Sequence, residues 1–170
     1  MKNISIAVLL TLFSIVGYAQ EQTFGFSGST FSGSGISYKY KLDERYEIKT
    51  SGFIFGRKTS AEESFSYNLG AEVQRNLHQT YLTRFYSLLG LSYWDDKTLS
   101  PTYDNLGSLT GLISISRTRD LQLGTGIGVE VTLLENISIN TDAGFKYQKS
   151  LINGDYQIGF GFGVGLGYAF

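Results

Sequence analysis

The chain has 170 residues, with 15 acids against 14 bases and a formal net charge of −1. This length suits a single domain, and the near-zero charge argues against a nucleic-acid binder that neutralises phosphates. Because the chain has no cysteine and a single histidine, His78, it offers no disulfide or thiolate metal site. It also offers little for a histidine-based metal site or catalytic triad. We therefore expect no metal, no cofactor and no nucleic-acid partner.

Residues 1–19 have the pattern of a cleaved secretory signal peptide. Lys2 precedes an apolar run from Ile4 to Val16, and the small residues Gly17 and Ala19 stand at the −3 and −1 positions of a cleavage site. The run is shorter than the roughly 20 residues that a membrane-spanning helix needs. The sequence thus predicts a signal peptide over 1–19 and one exported domain over 20–170, in which no window is apolar enough for a transmembrane helix.

The rest of the chain alternates between polar and apolar residues with a period of two. From Tyr156 to Phe170 every even-numbered position is apolar or aromatic, whereas the odd-numbered positions are Gln157, Ala169 and glycines. A helix cannot use this pattern, since each interior glycine costs about 1 kcal/mol. The same alternation recurs upstream and predicts β-strands. It is less regular over 46–57 and 81–94, which predicts a bulge near Gly52 or Gly90.

The two faces of these strands favour a membrane barrel over a soluble β-sandwich. The polar face carries mostly glycine, serine, asparagine and glutamine, whereas the outer face of a sandwich tends to be charged along its full strands. The apolar faces are long and end in tyrosine or phenylalanine, as in strands that cross a bilayer between aromatic girdles. We therefore predict an all-β, antiparallel transmembrane β-barrel.

Turn lengths predict eight strands and their orientation. They lie near 23–30, 34–42, 46–57, 64–77, 80–94, 119–134, 137–148 and 155–170. The connections at 43–45, 78–79 and 135–136 are short, which is typical of periplasmic turns, and those at 58–63, 95–119 and 149–154 are longer, as in extracellular loops. The C-terminus is then periplasmic, and residues 109–115 extend a sheet or hairpin above the membrane. An alternative frame drops 23–30 and counts 108–116 as a strand.

The predicted signal peptide, the strand pattern and the ending Gly167-Tyr168-Ala169-Phe170 resemble small outer-membrane β-barrel proteins. This group includes the OmpA transmembrane domain, OmpX-type barrels and related barrel domains of Bacteroidota. The resemblance covers about 23–170 and implies a Gram-negative outer membrane, with lipid and lipopolysaccharide around the barrel. It also implies that Tyr168 and Phe170 belong to the signal read by the barrel-assembly machinery. We expect no peptidoglycan-binding domain after Phe170, which would be a departure from full-length OmpA-like proteins.

A barrel of eight strands has a lumen that side chains can fill, so inward charges must find partners. On the predicted alternation these charged residues are Lys39, Lys41, Glu47, Lys49, Glu72, Arg84, Glu130, Asp142 and Lys146. We interpret them as a structural ion-pair network, the alternative being a gated ion or proton path. The glycine rows at 124–128 and 159–167 leave room for long side chains or let the strands coil tightly.

The function classes left open are structural support, partner binding through the loop 95–119, and, less favoured, a small pore or a lipid-modifying enzyme. An enzyme is not expected, because His78 falls in a predicted periplasmic turn with no serine beside it. Asp95, Asp96 and Asp104 are loop acids that could bind a divalent cation bridging lipopolysaccharide, although solvated acids are more common there. Leu109, Ile113 and Ile115 could offer an edge for an unidentified extracellular partner.

Overall fold

The computed structural model describes residues 22–59, 63–103 and 109–170. Within them eight antiparallel strands form a closed barrel, in which each strand pairs with the next and the first pairs with the last. The strands are β1 (Gln22–Ser29), β2 (Gly33–Lys41), β3 (Tyr46–Lys58), β4 (Glu63–Gln79), β5 (Thr83–Tyr103), β6 (Leu109–Leu133), β7 (Ile137–Ser150) and β8 (Tyr156–Ala169). The predicted fold class is confirmed, whereas the signal-peptide prediction lies outside the described residues. No helix in the described ranges is long and apolar enough to cross a membrane.

The ring closes between the first strand, β1, and the last strand, β8. Strand β1 pairs with β8 from Thr23–Ala169 to Ser29–Gly163. Beyond these pairs, the Phe170 N–H donates to the Gln22 carbonyl at 3.0 Å and the Gln22 N–H donates back at 3.3 Å. The short first strand is therefore real, and the alternative frame without it is wrong.

The predicted long loop at 95–119 is instead mostly strand. The β5–β6 ladder runs from Thr83–Val131 to Pro101–Ile113 and resumes at Tyr103–Leu109 after an irregularity. Asp104 lies outside the described residues. Within the described part of this segment Asp95 faces Arg119 across the ladder, and this opposite-charge pair compensates for the poor strand propensity of aspartate.

The two ends of the barrel differ. One end carries the start of β1 at Gln22, the terminal Phe170 and the connections 42–45, 80–82 and 134–136, and is called the short-turn end. The other, the long-hairpin end, carries the β5–β6 extension. At the short-turn end the Asp43 carboxylate accepts bonds from the Arg45 and Tyr46 N–H groups, each at 2.7 Å. The predicted turn at His78 was misplaced, because β4 continues through His78 and the chain turns after Gln79.

The outer surface is an apolar belt. Outward side chains on every strand are exposed although they are large and apolar: Ile127 is 67% exposed, Ile158 69% and Phe160 72%. Such a continuous exposed apolar surface is unfavourable in water and matches the hydrocarbon core of a bilayer. The predicted transmembrane character of the barrel agrees with this exterior.

The irregular strands contain inward aromatic residues rather than the expected bulges. Register is unbroken at the Gly52–Leu69 and Glu72–Gly90 pairs, so the prediction of a bulge at Gly52 or Gly90 was wrong. The β4–β5 register shifts instead between Asn76 and His78. Tyr86 and Leu88 obscured the alternation because both point into the lumen, where they are buried.

Candidate functional site

Four charged residues form an ion-pair network in the lumen, in the half nearer the short-turn end. The Lys39 ammonium lies 2.6 Å from the Glu130 carboxylate and 3.5 Å from that of Glu47. Arg84 Nη2 lies 2.6 Å from Glu130 and 3.1 Å from Glu47. Two acids and two bases thus offset one another in a buried space, and Arg84 also donates to Asn76 at 2.8 Å.

A second ion pair lies deeper in the lumen. Lys49 Nζ is 3.0 Å from Glu72 Oε2, and both side chains are almost fully buried. The same carboxylate accepts the Ser32 hydroxyl at 2.5 Å and the Gln74 amide at 2.6 Å. Glu72 therefore ties the wall of the barrel to the connection between β1 and β2.

That connection, residues 30–32, folds into the lumen and is called the plug. Phe31 is fully buried, and its N–H donates to the Ser29 hydroxyl at 3.1 Å. The Ser51 hydroxyl donates to the Ser32 carbonyl, and the Ser34 N–H donates to Asn68 Oδ1 at 2.7 Å. The chain leaves the plug through Gly33, whose φ of +80° favours glycine.

The glycine rows make room for the plug. A Cβ at Gly161 would lie 2.5 Å from the Phe31 ring, one at Gly90 would lie 2.9 Å from the Phe31 carbonyl, and one at Gly124 would collide with the ring. The glycine rows were expected to leave room for long charged side chains or to let the strands coil tightly, and the plug was not predicted. Inward glycines on several strands at one level were a usable signal for it.

The remaining predicted lumen residues have other contacts. Lys41 lines a cavity of about 520 Å³ at the short-turn end, together with Lys39, Arg84 and Glu130. Asp142 accepts the Tyr86 hydroxyl, and Lys146 donates to Gln148 at 3.3 Å. Among the described residues neither Asp142 nor Lys146 forms a salt bridge, and the role of the network stays a prediction.

A different charged site lies on the outer face of the barrel, beside two tyrosines. Asp95 accepts bonds from Arg117 Nε at 2.9 Å, Arg117 Nη2 at 2.7 Å and Arg119 Nε at 3.1 Å. The Tyr93 and Tyr67 hydroxyls approach the same carboxylate at 3.2 and 3.4 Å. Asp95 is therefore no solvated loop acid, and the described residues contain no group of three histidines or acids that could hold a metal ion.

These bonds set the ionisation of Asp95. The hydrogen bonds from Arg117 first, and then those from Arg119 and Tyr93, lower the pKa of the carboxyl to about 2. A lowered pKa in the folded state means that the pair stabilises the fold above the ordinary aspartate pKa of about 3.9. That contribution is lost as the pH falls from about 3.9 towards 2.

We expect Arg117→Gln to raise the Asp95 pKa towards its ordinary value, because the bidentate donor is removed. The measurement is a carboxyl-carbon NMR titration of the barrel in detergent micelles from pH 6 downward. Lys58→Gln is the control, since Lys58 bonds Glu63 at 2.9 Å and has no contact with Asp95. An unchanged Asp95 titration in Arg117→Gln would contradict this geometry.

Eight antiparallel strands in a closed ring, with an apolar exterior and a polar lumen, decide the fold. The chain has the fold of a small outer-membrane β-barrel. The resemblance to OmpA- and OmpX-type barrels is thereby confirmed as a likeness of fold. No protein-family model matches the chain, and no curated protein matches its sequence.

Solved structures of small barrels are similar to this chain over most of its length. Ail, the attachment invasion locus protein of Yersinia pestis, is 16% identical with a TM-score of 0.48, over 88% of this chain and 97% of Ail. The N-terminal β-barrel domain of Pseudomonas aeruginosa OprF is 16% identical with a TM-score of 0.46, over 88% and 96% of the two chains. Neisserial surface protein A is 16% identical with a TM-score of 0.39, over 88% and 93%.

Proposed function

We propose that this protein is a non-enzymatic barrel of the Gram-negative outer membrane that presents the β5–β6 hairpin as a binding edge for an extracellular partner. The observation that carries the proposal is the unequal length of the strands. β6 begins at Leu109, but its pairing with β7 begins only at Asp120–Ser150. Residues 109–118 of β6 therefore have β5 on one side and no strand of the described residues on the other.

The free edge of β6 offers backbone hydrogen-bonding groups in a known direction. The Leu151 N–H donates to the Arg119 carbonyl at 2.7 Å, so the backbone groups of Arg119 point towards the β7 side. Because these groups alternate along a strand, those of Arg117, Ile115 and Ile113 point to the same side, beyond the last β7 partner. An extended peptide that adds to this edge would be bound through main-chain hydrogen bonds.

The difference between the two ends of the barrel supports the proposed orientation in the membrane. Outer-membrane barrels have short periplasmic turns and longer extracellular segments. The short-turn end, with the C-terminus, is accordingly periplasmic, and the β5–β6 extension is extracellular. The exported N-terminal signal predicted over 1–19 agrees with this placement.

The contents of the lumen favour binding over a pore, because the plug and the ion pairs occupy the space between the strands.

The surroundings of the single histidine give no support to an enzyme. His78 is exposed at the short-turn end, and among the described residues no hydroxyl or carboxylate hydrogen-bonds to it. A catalytic base must lie within hydrogen-bond reach of its nucleophile.

We expect Ile115→Pro to abolish adhesion by removing one edge N–H while leaving the β5–β6 ladder intact. The measurement is the attachment of cells that produce the protein to surfaces coated with serum or extracellular-matrix proteins. Proline is tolerated on an edge strand where its nitrogen faces solvent. Ile115→Ala is the matched control, because it removes the 64%-exposed side chain and keeps the N–H.

Adhesion of the alanine variant with loss in the proline variant would support strand addition. Equal adhesion of the proline variant and the unaltered protein would contradict it. If producing cells attach no better than cells without the protein, the structural role is the better description. Surface accessibility of an epitope at residues 104–108 on intact cells would test the orientation separately.

A further inference from the structure

The outer face of β5 and β6 carries an excess of positive charge that the binding edge does not use. Lys97 faces Arg117 across the ladder, and Asp95 faces Arg119 in the next outward pair. Together these residues are called the basic cluster, and they combine three cations with one carboxylate. The next outward pair towards the barrel is Tyr93 with Leu121, where the apolar belt begins.

The carboxylate holds the two guanidinium groups without occupying them fully. Asp95 has a side chain only 4% exposed, whereas those of Arg117 and Arg119 are each 39% exposed. Arg117 uses Nε and Nη2 on Asp95, and Arg119 uses Nε. A guanidinium has further N–H donors, so both arginines keep unused donors in an orientation fixed by a buried anchor.

The Lys97–Arg117 pair lies next to Asp95, on the side away from the apolar belt, and no acid of the described residues pairs with Lys97. Like charges directly opposite one another on neighbouring strands are destabilising, and Lys97 and Arg117 form such a pair. The nearest acid on the adjoining strand, Glu63, bonds Lys58 at 2.9 Å. Lys149, exposed beside Leu121 on β7, adds another base to the same face. An anion bound here would offset this repulsion.

The position of the basic cluster along the barrel wall, and the direction in which it projects, indicate which anion it binds. Along β5 the outward side chains change from Leu89 and Leu91 to Asp95 and Lys97. Tyr93 stands at this change, and its ring lies 5.8 Å from that of Tyr67 on β4. Tyrosines at this position mark the membrane–water interface, where lipid headgroups lie. The cluster projects sideways from the barrel wall into this layer, so a lipid headgroup reaches it more readily than a solute in the medium.

We propose that the basic cluster binds a phosphate group of an outer-leaflet glycolipid. The planar guanidinium matches phosphate in a bidentate geometry, and charge-assisted bonds of this kind are the stronger ones. Asp95 acts as a positioning residue that fixes both arginines. The inference rests on the outer-membrane placement proposed above.

The test is a titration of the refolded full chain in detergent micelles with bis-phosphorylated lipid A, read by native mass spectrometry. We expect the double variant Arg117→Gln/Arg119→Gln to bind about tenfold more weakly or worse, and Lys97→Gln to bind several-fold more weakly. We expect Lys97→Gln to keep the fold, because Lys97 forms no side-chain hydrogen bond or salt bridge among the described residues. Arg75→Gln is the matched control: Arg75 is an exposed arginine on the outward face of β4 near the short-turn end, and its loss should leave binding unchanged.

The lipid with its phosphates removed should bind no better to the unaltered barrel than to the double variant. The proposal is overturned if the two lipids bind equally, or if the double variant binds as the unaltered barrel does. Competition by inorganic phosphate as effective as that by lipid A would overturn the assignment to a lipid. A heat-dependent shift in gel mobility shows that each variant is a folded barrel, and cell fractionation tests the membrane placement independently.

Discussion

Replacing Glu130 by alanine is expected to lower the free energy of unfolding by about 3–5 kcal/mol, as when one partner is removed from a buried ion pair. Glu130 lies 2.6 Å from both Lys39 and Arg84, and its side chain is only 11% exposed. Without it, two buried cations share the single carboxylate of Glu47. The measurement is urea unfolding of the barrel in detergent micelles.

Glu63→Ala is the matched control for this prediction. Glu63 also forms an ion pair, but its side chain is 51% exposed and that of its partner Lys58 is 78% exposed. Exposed pairs of this kind contribute about 0–1 kcal/mol. Equal unfolding midpoints for the two variants would show that the lumen network does not stabilise the barrel. Arg84→Met/Glu130→Leu, which removes a cation and an anion together, should be less harmful than Glu130→Ala alone.

The lumen shows what strand alternation can and cannot predict. Alternation assigns each residue to a face, and this was enough to place Lys39, Glu47 and Glu130 in the interior. It carries no information on which inward groups meet across the barrel, because that depends on the register of distant strands. Lys146 was thus grouped with the ion pairs, although the structure pairs it with Gln148 on its own strand.

The inward glycines indicate free space in the lumen, but they do not identify the plug that fills it, for a related reason. Phe31 lies in a stretch of serine and glycine that is typical of a solvated loop. Its burial depends on space left by Gly90, Gly124 and Gly161, which come from three other strands. The glycines were visible in the sequence, but the object that fills the space is distant in the chain.

The charged segment at 95–97 was misread because local propensity disfavours it as strand. Asp95 is held there by Arg117 and Arg119, more than twenty residues away, as separations of 22 and 24 residues show. Where cross-strand partners override local preference, a single sequence gives no warning. Arg117 and Arg119, which hold Asp95 in the strand, also belong to the basic cluster.

Removing the side chain of the terminal residue is expected to separate assembly from stability. In Phe170→Ala we expect most of the protein to be lost from the outer membrane, while the refolded variant keeps a near-normal melting temperature in detergent. The side chain of Phe170 is 66% exposed on the outward face, so its removal eliminates little buried contact area within the protein. The backbone bonds between Phe170 and Gln22, at 3.0 and 3.3 Å, remain in the substituted chain.

Phe160→Ala is the matched control for Phe170→Ala. Phe160 lies within β8, on the same outward face as Phe170, which follows the strand. It is 72% exposed but stands ten residues before Phe170. If the assembly machinery reads the terminal aromatic residue, only Phe170→Ala should lower the yield in the outer membrane, measured by quantitative blotting of membrane fractions. If yield and refolded melting temperature fall together, Phe170 acts through packing and hydrogen bonding at the closure of the ring. Equal yields of both variants and the unaltered protein would mean that the terminal Phe170 is not read during assembly.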